Sequence, residues 1–129
     1  MVDDLSWTDL GYSGSEFYET PNIDAFNKNS IKFTNAFASI CSPSRASILT
    51  GKHLANINII DWLPGDDSQN RKLIGATDLN ELPMAEVTLP EFLKLNGYRT
   101  FFAGKWHLGD KGFLPTDRGF EINLGGVRI

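Results

Sequence analysis

Apolar positions along this chain fall in short groups separated by polar or glycine-rich stretches. Residues 5–20 are rich in Gly, Ser, Tyr and acidic side chains and read as loop. At Thr20-Pro21 the pattern changes, because a threonine N-cap followed by proline at the first helical position is a helix start. Ile23, Phe26 and Ile31 then give a rough apolar face, so a helix is expected over 21–30. Ile31, Phe33, Ala36 and Phe37 approach the period-two alternation of a strand at about 31–38. Ser42-Pro43 repeats the cap-and-proline pairing and predicts a helix over 43–50 that stops at Gly51. Residues 61–87 contain Pro64-Gly65, Asp66-Asp67, Asn70 and Pro83 and read as a long polar connection, a candidate substrate-facing loop. Thr88 with Glu91 three residues on makes a capping box for a helix at 89–96 that ends at Asn96-Gly97. Arg99–Ala103 reads as a short strand, Gly104–Gly109 as a loop, and the tail from Gly112 as loop-rich.

Helices alternating with short apolar strands define an α/β chain. Only two or three strands can be placed, whereas a sheet of that class is covered on both faces. The sheet is therefore expected to be incomplete within these 129 residues. A composition of 41% hydrophobic and 22% charged residues suits one ordinary globular domain with a modest core. There is no internal repeat and no low-complexity tract.

Charge and cysteine content narrow the function classes. Twelve basic against sixteen acidic residues give a formal charge of −4, which argues against nucleic acid as the main partner. A local cationic pocket remains compatible with that balance. The single cysteine, Cys41, excludes an intrachain disulfide and a four-cysteine zinc site. No stretch approaches the ~20 apolar residues of a membrane span. No leader is visible, since Met1-Val2 runs straight into Asp3-Asp4. Two apolar residues followed by two acids read as the last steps of a strand that begins upstream.

Three segments carry candidate chemistry. In Cys41-Ser42-Pro43-Ser44-Arg45-Ala46-Ser47-Ile48-Leu49-Thr50-Gly51 the cysteine precedes a helix start. Free N–H groups and the positive end of the dipole there favour an anion or an ionised nucleophile. Arg45 adds a fixed fork of donors on the first turn. An isolated cysteine at such a place is more often a small buried thiol. In Gly97-Tyr98-Arg99-Thr100-Phe101-Phe102-Ala103-Gly104-Lys105-Trp106-His107, Lys105 and His107 are two apart and in an extended segment project to one side. A lysine and a histidine converging on one spot suit a tetrahedral oxyanion, although Lys-x-His alone also describes a solvated lysine beside a half-buried histidine. Asp3-Asp4 can supply oxygen ligands to a hard cation, with several more from elsewhere. A paired Asp is otherwise usually a solvated loop.

The first segment resembles the signature C-x-P-S-R-x-x-x-L-T-G of type I sulfatases, in the alkaline-phosphatase superfamily, at every specified position. The second resembles that family's G-Y-x-T-x-x-x-G-K-W-H. The two lie in the right order, about 50 residues apart. Asp3-Asp4 resembles the acidic pair that ends the first strand of sulfatases, and the tail Pro115…Gly119-Phe120…Gly125-Gly126 resembles bacterial carbohydrate sulfatases.

The resemblance implies an N-terminal portion, residues 1–129, of a sulfatase catalytic domain with a mixed sheet flanked by helices. It implies conversion of Cys41 to formylglycine by a formylglycine-generating enzyme that reads C-x-P-x-R. One hydroxyl of the hydrated aldehyde attacks sulfur, and the other later expels sulfate as the aldehyde re-forms. Calcium is implied on Asp3, Asp4 and the modified Cys41. Lys105 is implied in binding sulfate, Arg45 in neutralising charge, and His107 in elimination. The implied substrate is a sulfated small molecule or carbohydrate. The implied compartment of the whole protein is periplasmic, extracellular or lysosomal. A later Asp-Asn metal pair and a later His and Lys have no counterpart up to Ile129, so this stretch alone is expected to be inactive. Two rivals remain: a phosphonate monoester or phosphodiester hydrolase sharing C-x-P-x-R, and a non-catalytic module whose cysteine is never modified.

Overall fold

The computed structural model describes residues 1–63, 72–73, 75 and 77–126. The chain divides into two compact units, Met1–Phe37 and Ala38–Ile129.

The first unit holds a single-turn 3-10 helix at Gly11–Ser13 and helix α1 at Pro21–Asn27, which pack on each other. Pro21 starts α1 as expected, but Thr20 makes no side-chain cap. Its hydroxyl instead accepts from the Gly11 N–H at 2.8 Å and donates to Asp24 Oδ1 at 3.0 Å, and Asp24 Oδ1 also accepts from the Tyr12 N–H at 2.9 Å. These bonds fold the polar loop back onto the helix, and α1 ends at Asn27 rather than at residue 30. The strand expected at 31–38 does not form. Its apolar side chains lie in solvent, Phe37 being 94% exposed. A strand is stabilised by a ladder to a neighbour, and no partner strand reaches this segment among the described residues.

The second unit carries the remaining elements. Helix α2 spans Cys41–Thr50, a two-residue earlier start than the expected 43–50. Ile40 occupies the N-cap position in extended conformation, so Ser42 is inside the helix and is not its cap. Gly51 ends α2 as expected, at φ 69°, with its N–H donating to the Ser47 carbonyl at 2.8 Å. A short helix α3, Leu54–Ile57, follows with His53 as its cap and was not signalled by any cap motif.

Of the long connection at 61–87, residues 64–71, 74 and 76 lie outside the described residues. Its two ends are clipped together by Asp78, whose carboxylate accepts from the N–H groups of Ile60 and Asp61, both at 2.9 Å. Leu63 and Leu82 within it are buried, so the connection is partly core rather than wholly a surface loop.

Helix α4, Leu89–Leu95, has the full capping box between Thr88 and Glu91. Strand β1, Phe101–Ala103, is shorter than expected and pairs in parallel with β2, Ile122–Leu124, with Phe102 opposite Asn123. The second strand lay inside the tail read as loop-rich. The chain is thus α/β, with helices and a small parallel sheet.

The core of this unit is Ala46, Ile57, Ile59, Leu63, Leu82, Trp106 and Leu108, with Leu49, Phe102 and Phe120 packed against it. At its base Arg118 is fully buried. It donates to the carbonyls of Leu82 at 3.2 Å, Pro83 at 2.8 Å and Glu86, and pairs with Glu91 at 3.4 Å. Burial pushes its guanidinium below the usual arginine range, opposed by the nearby charges of Glu91 and Glu86. No sequence signal marked this residue. Next to it Gly119 has φ 91°, and a Cβ there would lie 2.5 Å from the Glu91 nitrogen, so only glycine fits beneath the start of α4.

Candidate active site

Helix α2 positions the first signature. Cys41 is its first residue and is half-buried, while Ser42 and Pro43 behind it are fully buried. The first-turn N–H groups of a helix lack intrahelical acceptors, and proline there removes one donor at no cost. The turn before the helix is held by Ser44, whose hydroxyl donates to the Ser39 carbonyl at 2.7 Å. Cys41 therefore sits at the positive end of a ten-residue helix, as its sequence context requires.

Trp106 anchors the second signature. It is 1% exposed, its indole N–H donates to the Phe113 carbonyl at 2.7 Å, and its ring meets Phe102 and Phe120 edge-on at 5.2 and 6.2 Å. The residues on either side of it are Lys105 and His107. Arg45 reaches across from α2 and donates from Nη1 to the Lys105 carbonyl at 2.5 Å. Part of its donor fork thus locks the two signatures together through main chain.

The extended geometry expected for Lys105–His107 does not hold. Strand β1 stops at Ala103, and His107 adopts φ 58°. A left-handed backbone costs a residue with a Cβ roughly 1–2 kcal/mol, so the surrounding packing must hold it there. His107 is 5% exposed. Its Nε2 is hydrogen-bonded to the Leu63 carbonyl, and its Nδ1 is buried with no hydrogen-bond partner among the described residues. The Leu63 N–H in turn donates to Ser42 Oγ at 3.1 Å. Ser42 was read in the sequence only as a helix cap, and Leu63 was not singled out. Ser42 occupies an unspecified place in the signature, and nothing in the sequence links Leu63 to it.

Cys41, Arg45, Lys105 and His107 thus all belong to the second unit. Two chains of hydrogen bonds tie the two signatures: Arg45 to Lys105, and Ser42 through Leu63 to His107. Asp3 and Asp4 belong to the first unit. Asp4 has φ 53°, which breaks extended alternation at this pair. In an unbroken strand adjacent side chains face opposite ways, whereas a left-handed residue allows two neighbouring carboxylates to serve one cation. Two hard oxygen donors of this kind fit calcium.

Comparison with known proteins agrees with both signatures. The family model described as Sulfatase matches residues 1–122. Arylsulfatase J of Mus musculus is 36% identical over 98% of this chain and 20% of its own length. Arylsulfatase A of Bos taurus is 38% identical over 97% of this chain and 24% of its own. The crystal structure of Ps i-CgsB, also solved in complex with k-i-k-neocarrahexaose, superposes with a TM-score of 0.74 at 33% identity. That match covers 96% of this chain and 27% of the other. The chain belongs to the sulfatase family, and it spans about a fifth to a quarter of the length of the relatives it matches.

Proposed function

We propose that this chain is the N-terminal portion of the catalytic domain of a sulfatase that hydrolyses sulfate esters of a carbohydrate. Cys41, converted to formylglycine, is its nucleophilic residue. The observation that carries the reading is the complete signature at Cys41–Gly51 standing at the N-terminus of α2, joined by Arg45 to the main chain of the second signature. The carbohydrate part of the reading is supported by the likeness to Ps i-CgsB, whose structure was solved with k-i-k-neocarrahexaose.

The hydrated aldehyde at position 41 supplies a hydroxyl nucleophile and a second hydroxyl through which sulfate can later be expelled. Calcium on Asp3, Asp4 and residue 41, when bound, supplies a fixed positive charge that polarises the sulfate. The chain's own residues do the rest. Lys105 binds the sulfate oxygens with its ammonium. Arg45 adds positive charge and holds the Lys105 main chain in place. His107, held by Leu63, accepts a proton during elimination.

The test is the mass of the tryptic peptide containing Cys41, from the full-length protein expressed with a formylglycine-generating enzyme. An aldehyde in place of the thiol is expected, and active protein carrying only cysteine refutes the nucleophile. Cys41→Ala should abolish turnover while the protein remains folded. Aryl sulfate should be preferred to aryl phosphonate, and the opposite preference would reassign the reaction to phosphonate ester hydrolysis.

A further inference from the structure

Ser42 lies in the modification motif at a place the signature leaves open, yet its side chain is fully buried. A buried hydroxyl needs partners, and this one accepts from the Leu63 N–H at 3.1 Å. The same residue's carbonyl holds His107 Nε2. Leu63 is itself buried, and Pro64 follows it in sequence, which restricts the preceding backbone to extended conformations. Leu63 is therefore a rigid two-ended connector between α2 and the second signature.

The chemistry of the bond fixes a proton. A carbonyl oxygen only accepts, so Nε2 must carry the hydrogen in every protonation state that keeps the bond. In the neutral ring the lone pair then sits on Nδ1, the atom that is buried without a hydrogen-bond partner among the described residues. We propose that Ser42 is a positioning residue for His107. Through Leu63 it orients the imidazole and sets the Nε2–H tautomer, which leaves Nδ1 as the base. This rests on the reading of the chain as a formylglycine sulfatase. In elimination the proton of the remaining hydroxyl passes to Nδ1 and the oxygen's electron pair forms the aldehyde C=O. The C–O bond to sulfate breaks, and its pair leaves with sulfate.

The arrangement also accounts for the backbone of His107. Its φ of 58° is unfavourable for a side chain with a Cβ. The buried bond to Leu63 is one of the contacts that holds it there, and Ser42 fixes the far end of that connector.

Two measurements on the full-length protein decide the matter. The first is ring-nitrogen NMR of wild-type protein with labelled histidine, the His107 signals being assigned by their absence in His107→Gln. It is recorded with Cys41 unconverted, so that it does not depend on turnover. The Nε2–H tautomer is expected, and an Nδ1–H tautomer overturns the proposal whatever the variants do. The second is kinetics of Ser42→Ala and Ser42→Thr with an activated aryl sulfate, each rate divided by the aldehyde content at position 41. Ser42→Ala should lower kcat by about tenfold or more, a share of the ~10²–10⁴-fold a positioned general base contributes, with KM little changed. Covalent sulfate should also build up on the Cys41 peptide. Ser42→Thr, which keeps the hydroxyl, should restore most of the rate. Wild-type kcat per aldehyde in Ser42→Ala overturns the role of Ser42. A wild-type protein with no aldehyde and full activity would instead overturn the sulfatase reading beneath it.

Discussion

At the residue scale the proposed site has two kinds of group, those assigned to the substrate and those that hold them in place. Lys105 and His107 flank a buried tryptophan; Arg45 holds the Lys105 main chain, and the Leu63 carbonyl holds the His107 imidazole. If Lys105 binds sulfate in ground and transition states alike, Lys105→Ala should raise KM substantially and lower kcat less. His107→Ala should instead leave KM near normal and retain covalent sulfate on the Cys41 peptide, seen by mass spectrometry. Normal kcat with no adduct removes the elimination role from His107. Asp3→Asn and Asp4→Asn should each weaken calcium binding and lower activity, because a neutral amide gives a hard cation less charge. Excess calcium should recover part of the loss, and wild-type rates in chelator would show that this pair holds no required metal. Cys41, Arg45, Lys105 and His107 could be singled out because they fall in two long signatures, and Asp3-Asp4 because it resembles the acidic pair of the same family. Ser42 was legible only as a helix cap, and that was wrong: its hydroxyl satisfies the main chain of Leu63, a contact between residues 21 apart that no local pattern encodes.

At the element scale, whatever depended on neighbours in sequence was readable. The capping box of Thr88 and Glu91, the proline start of α1 and the glycine stop of α2 are all local devices, and all three are present. What depended on distant partners was not. The apolar run at 31–38 has strand-like alternation but no ladder among the described residues. Ile122–Leu124 has almost no pattern of its own and becomes a strand by pairing with Phe101–Ala103. The same holds for Arg118, which looks like an ordinary charged loop residue until the carbonyls of Leu82, Pro83 and Glu86 and the carboxylate of Glu91 gather around it. It ties the end of the long connection to the start of α4, a bond strengthened when Thr88 donates to the Arg118 carbonyl at 2.9 Å. Arg118→Met keeps the bulk and removes every donor; the Leu82 and Glu86 carbonyls lose the arginine, while Pro83 keeps the Glu86 N–H and Glu91 keeps the Thr88 N–H. Loss of one member of a buried pair costs about 3–5 kcal/mol, and with Glu91 29% exposed the lower end of that range applies. Chemical denaturation of the full-length protein should report a loss of that size, and a loss under 1 kcal/mol would mean that water replaces the arginine without penalty.

At the scale of the whole molecule, the apolar surface left open decides how the 129 residues behave by themselves. In the second unit the core comprises seven buried apolar residues among those described, while Leu95 on α4 is 85% exposed and Phe101 on β1 is 66% exposed. A parallel sheet is ordinarily covered on both faces, and here the pair presents Phe101 on one strand and Leu124, 62% exposed, on the other. The first unit adds an open groove of about 840 Å³ lined by Trp7, Ile23, Phe26, Phe33 and Phe37 among others. Exposed apolar surface favours association of a chain in water, and β1 and β2 each offer an unpaired edge among the described residues. Chemistry points the same way. Calcium takes ~6–8 oxygen ligands, and the proposed two aspartates with one hydroxyl would leave most of that shell to water, so affinity should be low. The leaving-group acid that the family resemblance implies, worth typically ~10²–10⁴-fold, is not matched among these 129 residues. The chain made alone should therefore bind a hydrophobic dye, associate on concentration, and hydrolyse no activated aryl sulfate at a useful rate, even with Cys41 converted and calcium present. Purifying it, measuring the aldehyde at position 41 and assaying it beside the full-length protein makes the comparison. Equal turnover per aldehyde would mean that these residues form a self-sufficient catalyst, and that the exposed apolar faces of α4, β1 and the first unit need no further chain to cover them.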